Sequence, residues 1–287
     1  MTINWFPGHM HKARKEIKKR LPKIDLIIEV MDARIPYSSE NPLVSQFRQN
    51  KPCIKLLNKS DLADPLITQK WLDYLEQDAQ TKALSVTASQ EATIKSLPRA
   101  IKSFLPERTK AEKPLRAMIM GIPNVGKSTI INILAGRVIA KVGNEPAVTK
   151  RQQEIYLDNN IILSDTPGIL WPRIENKNSG YRLAATGAIK DTAMEYEDVA
   201  LYIIEYLLSA YADRLSTRYK YNDLPTTAEQ ALEEIGKRRG CLRAGGIVDT
   251  YKAADILLND LRSGALGKLS FETPEMIKSE EQEIRAS

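Results

Sequence analysis

The sequence is short of the residues that most often mark a metal or redox centre. Its 287 residues include two cysteines, Cys53 and Cys241, and two histidines, His9 and His11. The cysteines lie far apart and outside any CxxC or Cys/His spacing, so both are expected to be reduced thiols, with no zinc or disulfide role. Long apolar runs are lacking as well. The longest, VALYIIEYLLSAYA at 199–212, is interrupted by Glu205 and is too short to span a bilayer, so it reads as a core helix. The positive charges near the N-terminus are not followed by the apolar stretch of a secretory leader, and no lipidation motif is visible. The expectation is a soluble, cytoplasmic protein with no membrane partner. There is no internal repeat and no low-complexity tract.

With 43% hydrophobic and 27% charged residues, the chain can build one sizeable core or two modest ones. The net charge of +6 permits a nucleic-acid partner without demonstrating one. Its distribution says more. Lys12, Arg14, Lys15, Lys18, Lys19 and Arg20 fall on one predicted helix, and Lys237, Arg238, Arg239 and Arg243 form a second basic group. Read from composition alone, such runs are solvated faces.

Four segments share one form, an apolar run stopped by a polar or Gly/Pro-rich loop: IDLIIEVMDARIP (24–36), CIKLLNKSD (53–61), AMIMGIPN (117–124) and IILSDTPG (161–168). Buried parallel strands look like this. Helical stretches such as ITQKWLDYLEQ (67–77) and STIINILAG (128–136) separate them, which predicts an α/β fold with a mostly parallel sheet and ligands at the C-terminal strand ends. PERTKAEKP (106–114) reads as a linker inside this domain. From about 177 the pattern turns helical only: EYEDVALYIIEYLLSAYADRL reads as one helix, and TTAEQALEEIGKRR as another, with Thr227 and Gln230 as a capping box. VDTYKAADILLNDLRSG is a third, and the final SEEQEIRAS is expected to fray. The predicted domains are 1–176, including a basic segment 1–22, and an all-α domain over 177–287.

The chemistry resides in the loops. GIPNVGKST fits GxxxxGK[ST] with Gly121, Gly126, Lys127 and Ser128, after a strand and opening a helix. Backbone N–H groups of Asn124, Val125, Gly126 and Thr129 would surround phosphate oxygens, Lys127 would neutralise them, and Ser128 would offer its hydroxyl to Mg2+. In NKSD (58–61), Asp61 can accept from both N1–H and the exocyclic amine of guanine. Asn58 can bond the base edge and help hold the loop, and Lys59 can lay its methylenes over the ring. That pattern selects GTP over ATP. SVTAS (85–89) could add the Ala88 N–H to the guanine oxygen. DTPG (165–168) places Asp165 to hold Mg2+ through water and Gly168 to meet the γ-phosphate. PAVTK (146–150) supplies Thr149, which would close over the metal.

These are the parts of a GTPase in an unusual order, since NKSD precedes the P-loop. One sheet can still form if the original ends are joined and new ones opened elsewhere, with 106–114 as the joint. The expected fold is a circularly permuted P-loop GTPase domain followed by a small all-α C-terminal domain.

WFPGHMHKA, DARIP, LNKSDL, GIPNVGKSTIIN, DTPGIL and LAATGAIKD resemble the bacterial ribosome biogenesis GTPase A (YlqF) family of circularly permuted GTPases over nearly the whole chain. The resemblance implies a helical domain that contacts RNA or the ribosome and an action late in large-subunit assembly, and it turns the reading of the two basic groups from solvated faces toward contact with a phosphate backbone. The implied partners are the large ribosomal subunit and its rRNA, with no DNA and a monomeric protein. One departure is Ala147, where the family pattern has Gly, which bears on how Thr149 is placed. Where Ras-like enzymes carry a water-orienting Gln after DxxG, this chain has Ile169 and then Leu170, neither of which can hold a water. A histidine can take that role at neutral pH. Of the two present, the resemblance favours His9 as the catalytic residue; a structural or surface histidine is the open alternative. Asn124 is similar to the asparagine with which related GTPases bind K+ beside the phosphates, which implies K+ as a second cofactor. Two functions stay open: a GTP-hydrolysing assembly factor that is released on hydrolysis, and a GTP-sensing RNA-binding scaffold with negligible turnover.

Overall fold

The computed structural model describes residues 8–139, 154–158, 160–166, 168, 174, 176–189, 195–221 and 223–286, with side chains of the first helix from Arg14 onward. The chain divides into two compact units, one formed by 2–174 together with 272–287 and the other by 175–271.

The first unit is built on six strands: β1 (Leu26–Asp32), β2 (Cys53–Asn58), β3 (Thr81–Ser85), β4 (Leu115–Gly121), β5 (Glu154–Asp158) and β6 (Ile161–Asp165). Their order in the sheet is β3-β2-β1-β4-β6-β5, parallel except for the β5–β6 pair at the edge. The apolar runs behave as parallel strands covered on both faces, since every residue of β1, β2 and β6 is buried. If the chain is read from β4 through β6 and then from β1 through β3, the same sheet is an ordinary doubly wound one. Its switch point then lies between β4 and β1, the adjacent strands from which the order runs outward in both directions. A circular permutation moves the chain ends and leaves the sheet intact.

The joint at 106–114 is a helical turn, Pro106–Thr109, followed by a bend. It is anchored: Arg108 Nη2 meets Asp25 Oδ2 at 2.7 Å, and Asn160 Nδ2 donates to the Thr109 carbonyl at 3.2 Å. The basic N-terminal helix Gly8–Arg20 is held by Ile17, which is buried with Leu21, Ile24, Leu43, Val44, Phe47 and Met118. Lys15, Lys18 and Lys19 stay exposed.

The second unit packs the helices Lys177–Ala185, Tyr196–Ala210, Ala212–Tyr219, Ala228–Arg238 and Thr250–Ser263. Its core includes Leu183, Ile203, Leu207, Leu232, Ile235, Leu257 and Leu261. Thr227 caps its helix by accepting from Gln230 N, whereas the Gln230 side-chain Oε1 accepts from Thr226 N instead of Thr227 N. Gly236 allows close approach, because a Cβ there would overlap Val248 Cγ1.

Two expectations need correction. The stretch 195–215 is two helices broken at Tyr211 (φ −144°, ψ 41°), whose hydroxyl is drawn to Ser270 N at 3.3 Å. The C-terminal segment neither frays at 279 nor belongs to the helical unit. It forms the helix Pro274–Ala286, with Ile277 in a core shared with Met31, Leu57, Trp71 and Leu75. The fully buried Glu272 fixes its start, accepting from Ser38 N (3.0 Å) and Ser38 Oγ (2.7 Å), while its carbonyl accepts from Trp71 Nε1 at 2.9 Å.

Candidate functional site

The C-terminal ends of β1, β2, β4 and β6 bring the sequence motifs together. Register does this: Asp32 lies opposite Asn58, Val30 opposite Gly121, and Ile119 opposite Asp165. Gly121 leaves β4 at φ +150°, and a Cβ there would overlap the Val30 carbonyl. Asn124 takes the left-handed conformation (φ +58°), and Gly126 (φ +99°) caps the helix Lys127–Ala135. Ser128 and Thr129 follow in its first turn, so a positive dipole end and several free N–H groups face the loop interior.

Lys127 is folded across this loop. Its Nζ donates to the carbonyls of Gly121 (2.8 Å) and Ile122 (2.6 Å), which leaves one N–H for another acceptor. Burial pushes the ammonium down to about 8, with the Asp165 carboxylate pulling it back up. Asp165 is pushed up to about 6 by the same burial, opposed by Lys127 and by the Thr166 N–H. Its Oδ1 is buried and finds no hydrogen-bond partner among the described residues. An orphaned anionic oxygen facing the Lys127 ammonium, at the helix whose second residue is the hydroxyl-bearing Ser128, fits a hard divalent cation, reached directly or through water. Gly168 lies against the P-loop, where a Cβ would come within 3.1 Å of Pro123 Cα and 3.2 Å of Lys127 Nζ. Its backbone is therefore beside the point where a terminal phosphate would meet Lys127.

The NKSD loop joins the P-loop directly. Asn58 Nδ2 donates to the Val125 carbonyl at 2.8 Å, and a Cβ on Gly126 would overlap that same nitrogen. Asn58 thus ties the end of β2 to the P-loop. Its Oδ1 is buried without a partner among the described residues. Asp61 accepts from Ser89 Oγ at 3.0 Å, beside the exposed Ala88, where the turn Ala88–Gln90 begins. Lys59 is left-handed (φ +58°), and its Nζ meets Asp32 Oδ2 at 3.0 Å. Sequence reasoning used the Asp32–Arg34 pair only as part of a family motif. Its position at the end of β1, next to the NKSD strand, was the available signal.

Thr149 lies outside the described residues, as do Ala147, Ile169 and Leu170, and so does the His9 side chain. In the second basic group, partners within the unit already engage each residue. Lys237 pairs with Glu233 (2.8 Å), Arg238 lies over the Tyr221 ring, Arg239 lies over the Tyr219 ring, and Arg243 pairs with Asp249 (3.0 Å). No helix among the described residues is long and apolar enough to cross a membrane.

Comparison with known proteins agrees with this geometry. Residues 116–241 match the family model described as 50S ribosome-binding GTPase. That match opens in β4 and omits the NKSD segment, as a linear GTPase pattern must on a permuted chain. The ribosome biogenesis GTPase A of Priestia megaterium is 46% identical, over 96% of this chain and 98% of that protein. A solved GDP-bound YlqF structure superposes with a TM-score of 0.66 at 26% identity, covering 91% of this chain and 99% of that one. The GNP-bound YlqF of T. maritima gives 0.65 at 26%, covering 92% and 99%.

Proposed function

Because the chain belongs to the ribosome biogenesis GTPase A family, we propose that it is a GTP-hydrolysing assembly factor that acts late in maturation of the large ribosomal subunit. The observation that carries the nucleotide part is the Asn58–Val125 bond, which makes the guanine loop and the phosphate loop one site despite their reversed order in the chain. Phosphates lie on the N–H groups of 124–129 with Lys127 as counter-charge, and Gly168 offers its N–H to the terminal one. Asp61 and the Ala88 N–H read guanine over the Lys59 stem.

Ser128, Thr149 and, through water, Asp165 are the residues that would hold Mg2+, which when bound supplies positive charge to the β,γ-oxygens. Asn124 would hold K+ beside the phosphates. His9 would orient and deprotonate the attacking water, the role that Ile169 cannot fill. In the GTP state the ordered loops favour docking on the immature subunit and its rRNA, where the exposed Lys15, Lys18 and Lys19 offer phosphate-backbone contacts, and hydrolysis releases the protein. The protein works in the cytoplasm as a monomer.

The test is GTP turnover in K+ buffer with and without purified large subunits, for wild type and His9→Ala, with GTP binding measured in parallel. Acceleration of wild type by about tenfold or more, absent in a variant that still binds GTP, supports the reading. If subunits leave both rates unchanged, the ribosome-triggered enzyme is wrong. Na+ matching K+ in the same assay would remove the monovalent site.

A further inference from the structure

The most concentrated buried charge near the nucleotide site lies on residues with no assigned part in the chemistry. Asp32 ends β1, in register with Asn58, and the Ala33 N–H donates to the Asn58 carbonyl at 2.8 Å. Arg34 closes back on Asp32 with a two-pronged contact, Nε to Oδ1 at 2.9 Å and Nη2 to Oδ2 at 2.8 Å, and its own N–H adds a third bond to Oδ1 at 3.1 Å. The Asp32 N–H is itself taken by Ser39 Oγ at 2.9 Å. Asp32 and Arg34 are 3% and 2% exposed, so this carboxylate cannot turn elsewhere. One further cation reaches it, Lys59 Nζ at 3.0 Å.

A single arginine already neutralises Asp32, so a second cation drawn from a loop with 27% exposure of its side chain is not needed to pair the charge. It does serve the loop. Lys59 is fixed at one end by its left-handed backbone and at the other by Asp32, so the methylenes between are held at both ends. A free lysine samples many rotamers, and ordering it on binding would oppose affinity. We propose that Asp32 is a positioning residue for guanine nucleotides: with Arg34 locking its carboxylate, it preorganises the Lys59 stem as the surface on which the purine lies. This inference rests on the reading of 58–61 as the guanine loop. It adds that the DAR segment acts on affinity through Lys59, with base selectivity left to Asp61.

The experiment measures GDP and GTP dissociation constants for the full chain carrying Lys59→Met, Lys59→Ala, Asp32→Asn, and Asp32→Asn combined with Lys59→Met. Lys59→Met keeps an apolar stem but has nothing for Asp32 to hold. Removing Asp32 alone takes from the buried Arg34 guanidinium the carboxylate it grips. The variant Asp32→Asn with Arg34→Met therefore serves as its folded counterpart, checked by thermal melting of the nucleotide-free protein. Asp32→Asn and Lys59→Met should each weaken GDP and GTP alike, by roughly three- to tenfold, and the combination by no more than either alone. Preference for guanine over xanthine nucleotides should not change. If Lys59→Ala binds like wild type, the guanine-loop reading itself fails. If Lys59→Ala weakens binding but Lys59→Met does not, or if the two losses multiply in the combined variant, the loop reading stands and the positioning role of Asp32 is overturned.

Discussion

Replacing Gly126 by alanine tests the junction between the two motif loops, and its cost can be worked from the geometry. The backbone there has φ +99° and ψ 15°, which a non-glycine residue adopts at a cost of about 1–2 kcal/mol. The new Cβ would also overlap Asn58 Nδ2, which is buried and donates to Val125 O at 2.8 Å. Moving that amide leaves a buried carbonyl and a buried donor unpaired, a further loss of about 1–3 kcal/mol. The loop escapes both costs only by opening. The strain should therefore appear mainly as lost nucleotide affinity, roughly 30- to 5,000-fold for a total near 2–5 kcal/mol. Gly136→Ala is the matched control. It too has positive φ (+65°), at the far end of the same helix, but a Cβ there meets nothing within 4 Å. It should lower the melting temperature by a few degrees, about 1 kcal/mol, and leave GDP binding unchanged. Titration of a fluorescent GDP analogue into both variants decides the matter. A Gly126→Ala protein within threefold of wild type would refute the claim that Asn58 and Gly126 form one packed junction.

The Asp61 carboxylate, oriented by Ser89 Oγ, accepts two base protons in the proposed pose, so Asp61→Asn should lose roughly 100-fold in GTP affinity and gain xanthosine triphosphate binding; equal losses for both nucleotides would contradict the pose. Glu272→Ala removes two buried hydrogen bonds from Ser38, to its N–H and to its hydroxyl, a loss of about 3 kcal/mol, so the melting temperature should fall by about 6–12 °C; a shift under about 2 °C would count against that anchor. Lys127 has its pKa depressed to about 8 without ligand, and a bound phosphate restores it, so the complex holds more protons than the free protein. Affinity should fall as pH rises through 8, and calorimetry at pH 8 in buffers of differing ionisation enthalpy should record proton uptake, with zero uptake ruling the assignment out. Asp165 carries the opposite sign: raised to about 6 when free, it must be ionised to hold Mg2+, so Mg2+ dependence should weaken as pH drops through 6, read by metal titration at fixed GDP.

What could be read from the sequence was local. Strands buried on both faces are continuous apolar runs, and phosphate and guanine chemistry demands residue types at fixed spacing, so Gly126, Lys127, Asp61 and Asp165 stood out. What escaped was held by contacts distant in sequence. Ser38 and Glu272 meet across 234 residues, and Trp71 and Glu272 across 201, so nothing near residue 272 announces that the chain returns to the sheet unit. The helix break at Tyr211 is of the same kind, because the periodicity runs through it and the Tyr211 hydroxyl is engaged by Ser270 N, 59 residues away. Asp32 ends β1 and Lys59 is the first residue after β2, so their meeting depends on the register of the two strands. A slip of one residue between β1 and β2 would turn Asn58 and Asp32 to opposite faces of the sheet, breaking the Val125 bond and the Lys59 contact together. Register is set by the apolar faces of β1, β2 and β4, none of which depends on where the chain begins. That is why a permuted order can carry an unpermuted site: the packing that fixes Ile28 opposite Ile54 and Ile119 also fixes the guanine loop against the phosphate loop.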